Sequence, residues 1–151
     1  MTFPEAVWSL PPLIRWWVVW LGVITTISGM ALLFARATRK DGLILLAVAV
    51  AVATWMSVLY AEHGMVRLLA LPHVVLWTPL LVWIVWRLGK GAYPAPYRQL
   101  VVVLAVSLFV SLLFDYADLV RWLMGDRAPM VAPDGPDVSW HRVAALVPPA
   151  R

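Results

Sequence analysis

The chain contains no cysteine, which excludes disulfides, thiolate metal sites and thiol nucleophiles. Charge is scarce too. Only 13% of the 151 residues are Asp, Glu, Lys or Arg, against about 25% in an ordinary soluble domain. Lysine is rarer still: it supplies 2 of the 12 bases, and the bias toward Arg, Ala and Val points to a GC-rich bacterial genome. The first fourteen residues, MTFPEAVWSLPPLI, lack the basic start and small-residue cleavage site of a secretory leader, so the first helix is expected to be retained. Several motifs are missing as well. There is no nucleophile elbow, P-loop, dinucleotide fingerprint or His-Glu-x-x-His pair. No basic stripe interleaved with aromatics runs along the chain, which argues against a nucleic-acid partner.

What remains is hydrocarbon. Hydrophobic residues make up 63% of the chain, and the mean hydropathy is +0.85. A soluble core of this size has no room for that much apolar surface. The expected fold class is an all-α membrane protein, a four-transmembrane-helix up-down bundle in a single domain over residues 1–124. Its spans are predicted at about 14–35, 43–61, 66–87 and 98–124, each long enough for a hydrocarbon layer about 30 Å thick. A short interfacial segment precedes the first span. A Pro-rich tail over 125–151 follows the fourth, with a candidate amphipathic turn through Trp140, Val143 and Leu146. Asp41-Gly42 reads as the turn after the first span, and Glu62-His63-Gly64 as the end of the second.

Small residues recur at helical spacing. Gly22, Thr26 and Gly29 mark one face of the first span; Ala47 and Ala51 mark one face of the second. Such faces let helices approach closely, so they are the expected packing surfaces.

The fourth span alone carries acids into apolar sequence. Ser107, Ser111, Asp115, Asp118 and Trp122 follow one another at steps of four, four, three and four, which puts them on one helix face. A carboxylate at the bilayer centre costs at least about 2.5 kcal/mol. These acids should therefore lie near an interface, face the bundle interior, or both. At 1.5 Å per residue, Asp118 and Asp115 sit about 9 and 13 Å from the end of that helix. Six of the twelve bases crowd the two connections after spans one and three. The positive-inside rule then places those turns in the cytoplasm and both termini outside a bacterial inner membrane. Under that topology Glu62, His63, His73, Asp115 and Asp118 all gather toward the outer side.

Three readings of that cluster compete. In the first, the acids pair with Arg67, Arg121 or the histidines and serve structure only. In the second, the cluster handles protons or ions: desolvation raises carboxylate pKa values and lowers those of imidazoles, so a buried Asp–His pair exchanges a proton near neutral pH. The third is a metal or haem site, for which imidazole and carboxylate are suitable ligands, although the spacing matches no metal signature and no cofactor is predicted. The expectation drawn from all of this is a non-enzymatic accessory or packing subunit. Its partners are the lipid bilayer and either itself or a larger membrane complex. The alternative is a homo-oligomeric channel or proton-coupled transporter built on the Asp/His cluster.

Overall fold

The computed structural model describes residues 3–127. The candidate amphipathic turn in the tail lies outside those residues. The described chain is all-helical, with four helices long and apolar enough to cross a membrane. A short helix α1 (Phe3–Trp8) leads into α2 (Pro12–Leu33), α3 (Arg39–His63), α4 (Leu71–Gly89) and α5 (Ala95–Leu123). A 3₁₀ turn, Arg67–Ala70, feeds directly into α4. The candidate spans correspond to α2, α3, the 3₁₀ turn joined to α4, and α5.

Prolines start these helices and positive-φ glycines follow their ends. Pro12, Pro72 and Pro96 each lie in a first turn, where the missing N–H would have had no partner. Past α3, Gly64 takes φ 71° while its N–H closes on the Tyr60 carbonyl at 2.8 Å. Gly91 takes φ 66° just beyond α4. Side chains with a Cβ resist that left-handed region, so both turns call for glycine.

The four long helices form a ring in which each touches two neighbours: α2 meets α3, α3 meets α4, α4 meets α5, and α5 returns to α2. At the centre, Val101, Leu104 and Leu108 of α5 are fully buried and pack with Leu45, Trp77, Leu80 and Ile84. Outward positions remain apolar, among them Leu13, Val50, Val82, Phe109 and Phe114. A surface of that composition suits lipid.

One boundary departs from expectation. Asp41 and Gly42 are not a turn; they lie in the first turn of α3, and both are buried. Gly42 makes this geometry feasible. A Cβ there would lie 2.7 Å from the Gly29 carbonyl oxygen and 3.1 Å from the Leu33 nitrogen, so α2 and α3 cross backbone to backbone. Thr38 closes the linker between them, its hydroxyl donating to the Leu32 carbonyl at 2.8 Å and satisfying one orphan acceptor at the end of α2.

Of the residues singled out for packing, Gly29 lies in the α2–α3 contact, where a Cβ would meet Leu46 Cδ2 at 2.6 Å. Gly22, Thr26, Ala47 and Ala51 lie outside that contact, on exposed positions. Gly22 has nothing within 4 Å of where its Cβ would be. The stripe has the right period, but helix rotation turns most of it away from the intramolecular crossing.

Candidate functional site

Position 73 opens α4 and position 115 lies in the last third of α5, so the two neighbouring helices bring these residues to the same end of the ring. His73 Nδ1 lies 3.3 Å from Asp115 Oδ1, with the two side chains 16% and 15% exposed. One turn earlier on α5, the Ser111 hydroxyl donates to Asp115 Oδ2 at 3.2 Å. Each carboxylate oxygen therefore has one donor. With Nδ1 protonated toward Asp115, Nε2 is the acceptor in the neutral ring and a donor in the imidazolium. The ring also stacks on Trp77, one turn further along α4, at a centroid distance of 4.1 Å. Carboxylate on one edge and indole on one face fix the imidazole's orientation.

Asp118, on the same α5 face, takes a different partner. Arg67, from the 3₁₀ turn, places Nε 3.5 Å from Asp118 Oδ1 and donates from Nη1 to Asp126 Oδ1 at 3.3 Å. Next to these ion pairs lies a cavity of about 140 Å³, lined by Arg67, His73, Asp115 and Asp118 and, on its apolar side, by Phe3, Val18 and Met56. Ser107 continues the seam two turns below Asp115, where it accepts a hydrogen bond from the Trp20 indole of α2 at 3.0 Å. Deeper still, the seam meets the buried Val101 and Leu104 layer.

Glu62 and His63 do not join the cluster. They end α3 half-exposed and pair with each other at 3.8 Å. The glycine turn after His63 carries the chain on toward Arg67 and α4. Among the described residues, no group of three or more His, Asp or Glu side chains is placed to hold a metal ion.

A second polar cluster occupies the opposite end, and the sequence pattern gave little sign of it. Asp41, 4% exposed, accepts from Arg87 Nη2 at 2.9 Å and Arg87 Nε at 3.1 Å. Its other oxygen accepts from the Trp83 indole at 3.1 Å. Arg87 also reaches the Ala37 carbonyl at 3.4 Å and lies over the Tyr93 ring at 5.9 Å. Burial, together with the nearby Asp41 carboxylate, pushes the Tyr93 phenol up from 10.0 to about 12. Its hydroxyl is buried without a hydrogen-bond partner. These contacts tie α3, α4 and the α4–α5 turn together. This cluster is a structural latch, with its charges consumed in pairs. The clue available in the sequence was that Asp41 is the only acid at the basic end.

No family model, curated protein or solved structure matches this chain.

Proposed function

We propose that this chain is a small, non-enzymatic, multi-pass membrane subunit whose action centres on reversible protonation of the His73–Asp115 pair. In this reading it is an up-down bundle in a bacterial inner membrane, with both termini and the His73 end outside. The observation that carries it is the 3.3 Å contact between two mostly buried titratable groups from different helices. Structural ion pairs in this molecule use arginine, as Asp41–Arg87 and Asp118–Arg67 do. Histidine is the side chain that changes charge between about pH 5 and 8. When the imidazole is neutral, the pair carries one net negative charge in a poorly solvated site. When it is protonated, the pair is neutral overall. Each proton taken up thus alters the field in the adjoining cavity, which Arg67 and Asp118 also line.

The pair serves a responsive site rather than a pore within one chain. Val101 and Leu104 have no exposed surface and close the bundle below the serines. The exposed small residues Gly22, Thr26, Ala47 and Ala51 offer a lipid-embedded face for a second copy or another membrane partner. A proton-coupled transporter assembled from several copies is the second reading. The polar seam Ser107–Ser111–Asp115 favours it, since that seam leads inward from the pair.

The test is nitrogen NMR of the His73 ring in nanodiscs, assigned with His73→Gln. Acidification should convert the ring from a single Nδ1–H tautomer, hydrogen-bonded to carboxylate, to the imidazolium. Asp115→Asn should remove the carboxylate-bonded proton signal and change the pH response. Asp118→Asn should leave both intact. A His73 ring whose signals ignore pH, or are the same in Asp115→Asn, would overturn the proposal.

A further inference from the structure

A groove of about 320 Å³ runs between α3 and α4, walled by Ile44 and Val48 on one side and by Leu76, Pro79, Leu80 and Trp83 on the other. Both walls continue toward the basic end. On α3, Lys40, Ile44 and Val48 follow one another at steps of four. On α4, Leu76, Leu80, Trp83, Arg87 and Lys90 follow at steps of four, three, four and three. Residues at such steps share a helix face, so each wall ends in a lysine at the mouth of the groove. Lys90 still belongs to the helical path: its backbone is right-handed and its N–H reaches the Trp86 carbonyl at 3.1 Å. These are the only two lysines in the chain. Both are exposed, and neither forms an ion pair among the described residues. Asp41, the one described acid at this end, is already held by Arg87. Helix stability does not account for Lys40, which lies in the first turn of α3, where a cation opposes the helix dipole.

We infer that this groove binds one anionic phospholipid, its phosphate between Lys40 and Lys90 and one acyl chain laid along Trp83, Leu80 and Leu76. The order of side chains on α4 matches the order of groups in such a lipid. From Lys90 inward come an ammonium, the paired indoles of Trp86 and Trp83 with ring centres 5.3 Å apart, and then only aliphatic wall. That sequence spans about 21 Å at 1.5 Å per residue, and indoles favour the level between headgroup and hydrocarbon. The Trp83 N–H is already donated to Asp41, so the chain meets no unpaired polar group on the wall. Charge selects the lipid. A zwitterionic headgroup brings its own cation toward the lysines, whereas an anionic one supplies the counter-charge they lack. The other end of the bundle has no such opening for an anion, because Arg67 there is paired with Asp118 and Asp126. The inference rests on the proposed membrane setting but uses neither His73 nor Asp115.

The test is native mass spectrometry of the full chain released from nanodiscs of equal parts dioleoyl phosphatidylglycerol and dioleoyl phosphatidylcholine. One phosphatidylglycerol should stay bound in preference to phosphatidylcholine. A lysine near an anionic headgroup contributes about fivefold in affinity, so Lys40→Gln and Lys90→Gln should each lower that preference about fivefold. Arg39→Gln with Arg98→Gln removes two charges from the same end but away from the groove: Arg39 turns toward α2, donating to the Leu33 carbonyl at 3.1 Å, and Arg98 lies in the first turn of α5. That double variant should change the preference less than about twofold at physiological salt, where such charges are screened. Ile44→Trp, at an exposed position on the groove wall, should cut phosphatidylglycerol retention with both lysines in place. Equal retention of the two lipids, or equal losses in the lysine and arginine variants, would overturn the inference in favour of a diffuse surface field. Full retention in Ile44→Trp would overturn the chain's place in the groove, and displacement by millimolar glycerol phosphate would point instead to a soluble phosphate. The lysine variants should leave the His73 ring signals unchanged, so this inference and the protonation reading fail separately.

Discussion

Three helical glycines give a graded test of where α2 and α3 touch. Replacing a helical glycine by alanine gains about 1 kcal/mol from backbone entropy if the new methyl meets nothing. At Gly22 a Cβ meets nothing within 4 Å, so Gly22→Ala should be neutral or more stable by up to about 1 kcal/mol. At Gly29 the methyl would run into Leu46 Cδ2 at 2.6 Å and Cγ at 2.7 Å. Those atoms belong to a flexible side chain that can turn aside, so the overlap roughly cancels the entropy gain. At Gly42 the obstacles are the Gly29 carbonyl oxygen at 2.7 Å and the Leu33 nitrogen at 3.1 Å. Backbone cannot rotate away, and relief requires the two helices to separate. Overpacking of that kind costs about 1–3 kcal/mol, and a backbone–backbone clash belongs at the upper end, about 2–3 kcal/mol, so after the entropy gain Gly42→Ala should lose about 1–2 kcal/mol net. Reversible unfolding in mixed detergent micelles measures all three on one scale. The expected order of stability is Gly22→Ala, then Gly29→Ala, then Gly42→Ala. A Gly42→Ala chain as stable as wild type, or a Gly22→Ala chain less stable than Gly42→Ala, would refute the crossing described above.

Two further outcomes follow from the polar end opposite the His73 cavity. Asp41→Asn should destabilise the bundle by about 2–4 kcal/mol in the same unfolding assay, slightly below the usual cost of breaking a buried pair because Arg87 is a quarter exposed. Asp118→Asn should cost less than about 1 kcal/mol, since Arg67 keeps Asp126; equal losses would contradict the assignment of Asp41 as the latch. Tyr93 supplies a pH signature: the folded chain holds its phenol proton to about pH 12, where an exposed tyrosine releases it near 10. The unfolded chain is therefore the first to ionise, and stability falls as pH rises between those values. Tyr93→Phe should flatten that fall without loss at neutral pH, because the hydroxyl has no hydrogen-bond partner; an unchanged slope would contradict this.

Much of the outer cluster could be read from spacing alone. Steps of four from Ser107 to Ser111 to Asp115 fix a shared helix face whatever the neighbours do. His73 falls near the matching end of the third span because that span is read from about residue 66, although the α-helix itself begins at Leu71, with Pro72 in its first turn. Arg67 is an expected partner for one of the acids, and it pairs with Asp118. What local pattern leaves undetermined is rotation and long-range pairing. Gly22, Thr26 and Gly29 share a face by period, but only the crossing of α2 with α3 decides that Gly29 is in contact and Gly22 is not. Asp41 looks like turn chemistry because Arg39-Lys40 precede it and Gly42 follows. Its burial depends on Arg87, 46 residues later, and on a backbone contact that only glycine permits. Glu62 and His63 resemble site residues in composition, yet they stand at a helix end and, among the described residues, pair only with each other.

The leucine and valine layer at the centre of the ring has a consequence for how the molecule can change over time. His73 and Arg87 share α4 but lie 14 residues apart, about 21 Å of helix, with Leu80 and Ile84 buried between them. Groups that far apart with no shared partner act on stability nearly independently. One end therefore fixes the shape and the other is released from that duty. Substitutions around His73 and Asp115 can therefore be made without loosening the Asp41–Arg87 latch. The bundle is a fixed handle with an exchangeable tip, and a designer seeking a different polar site would alter only the tip.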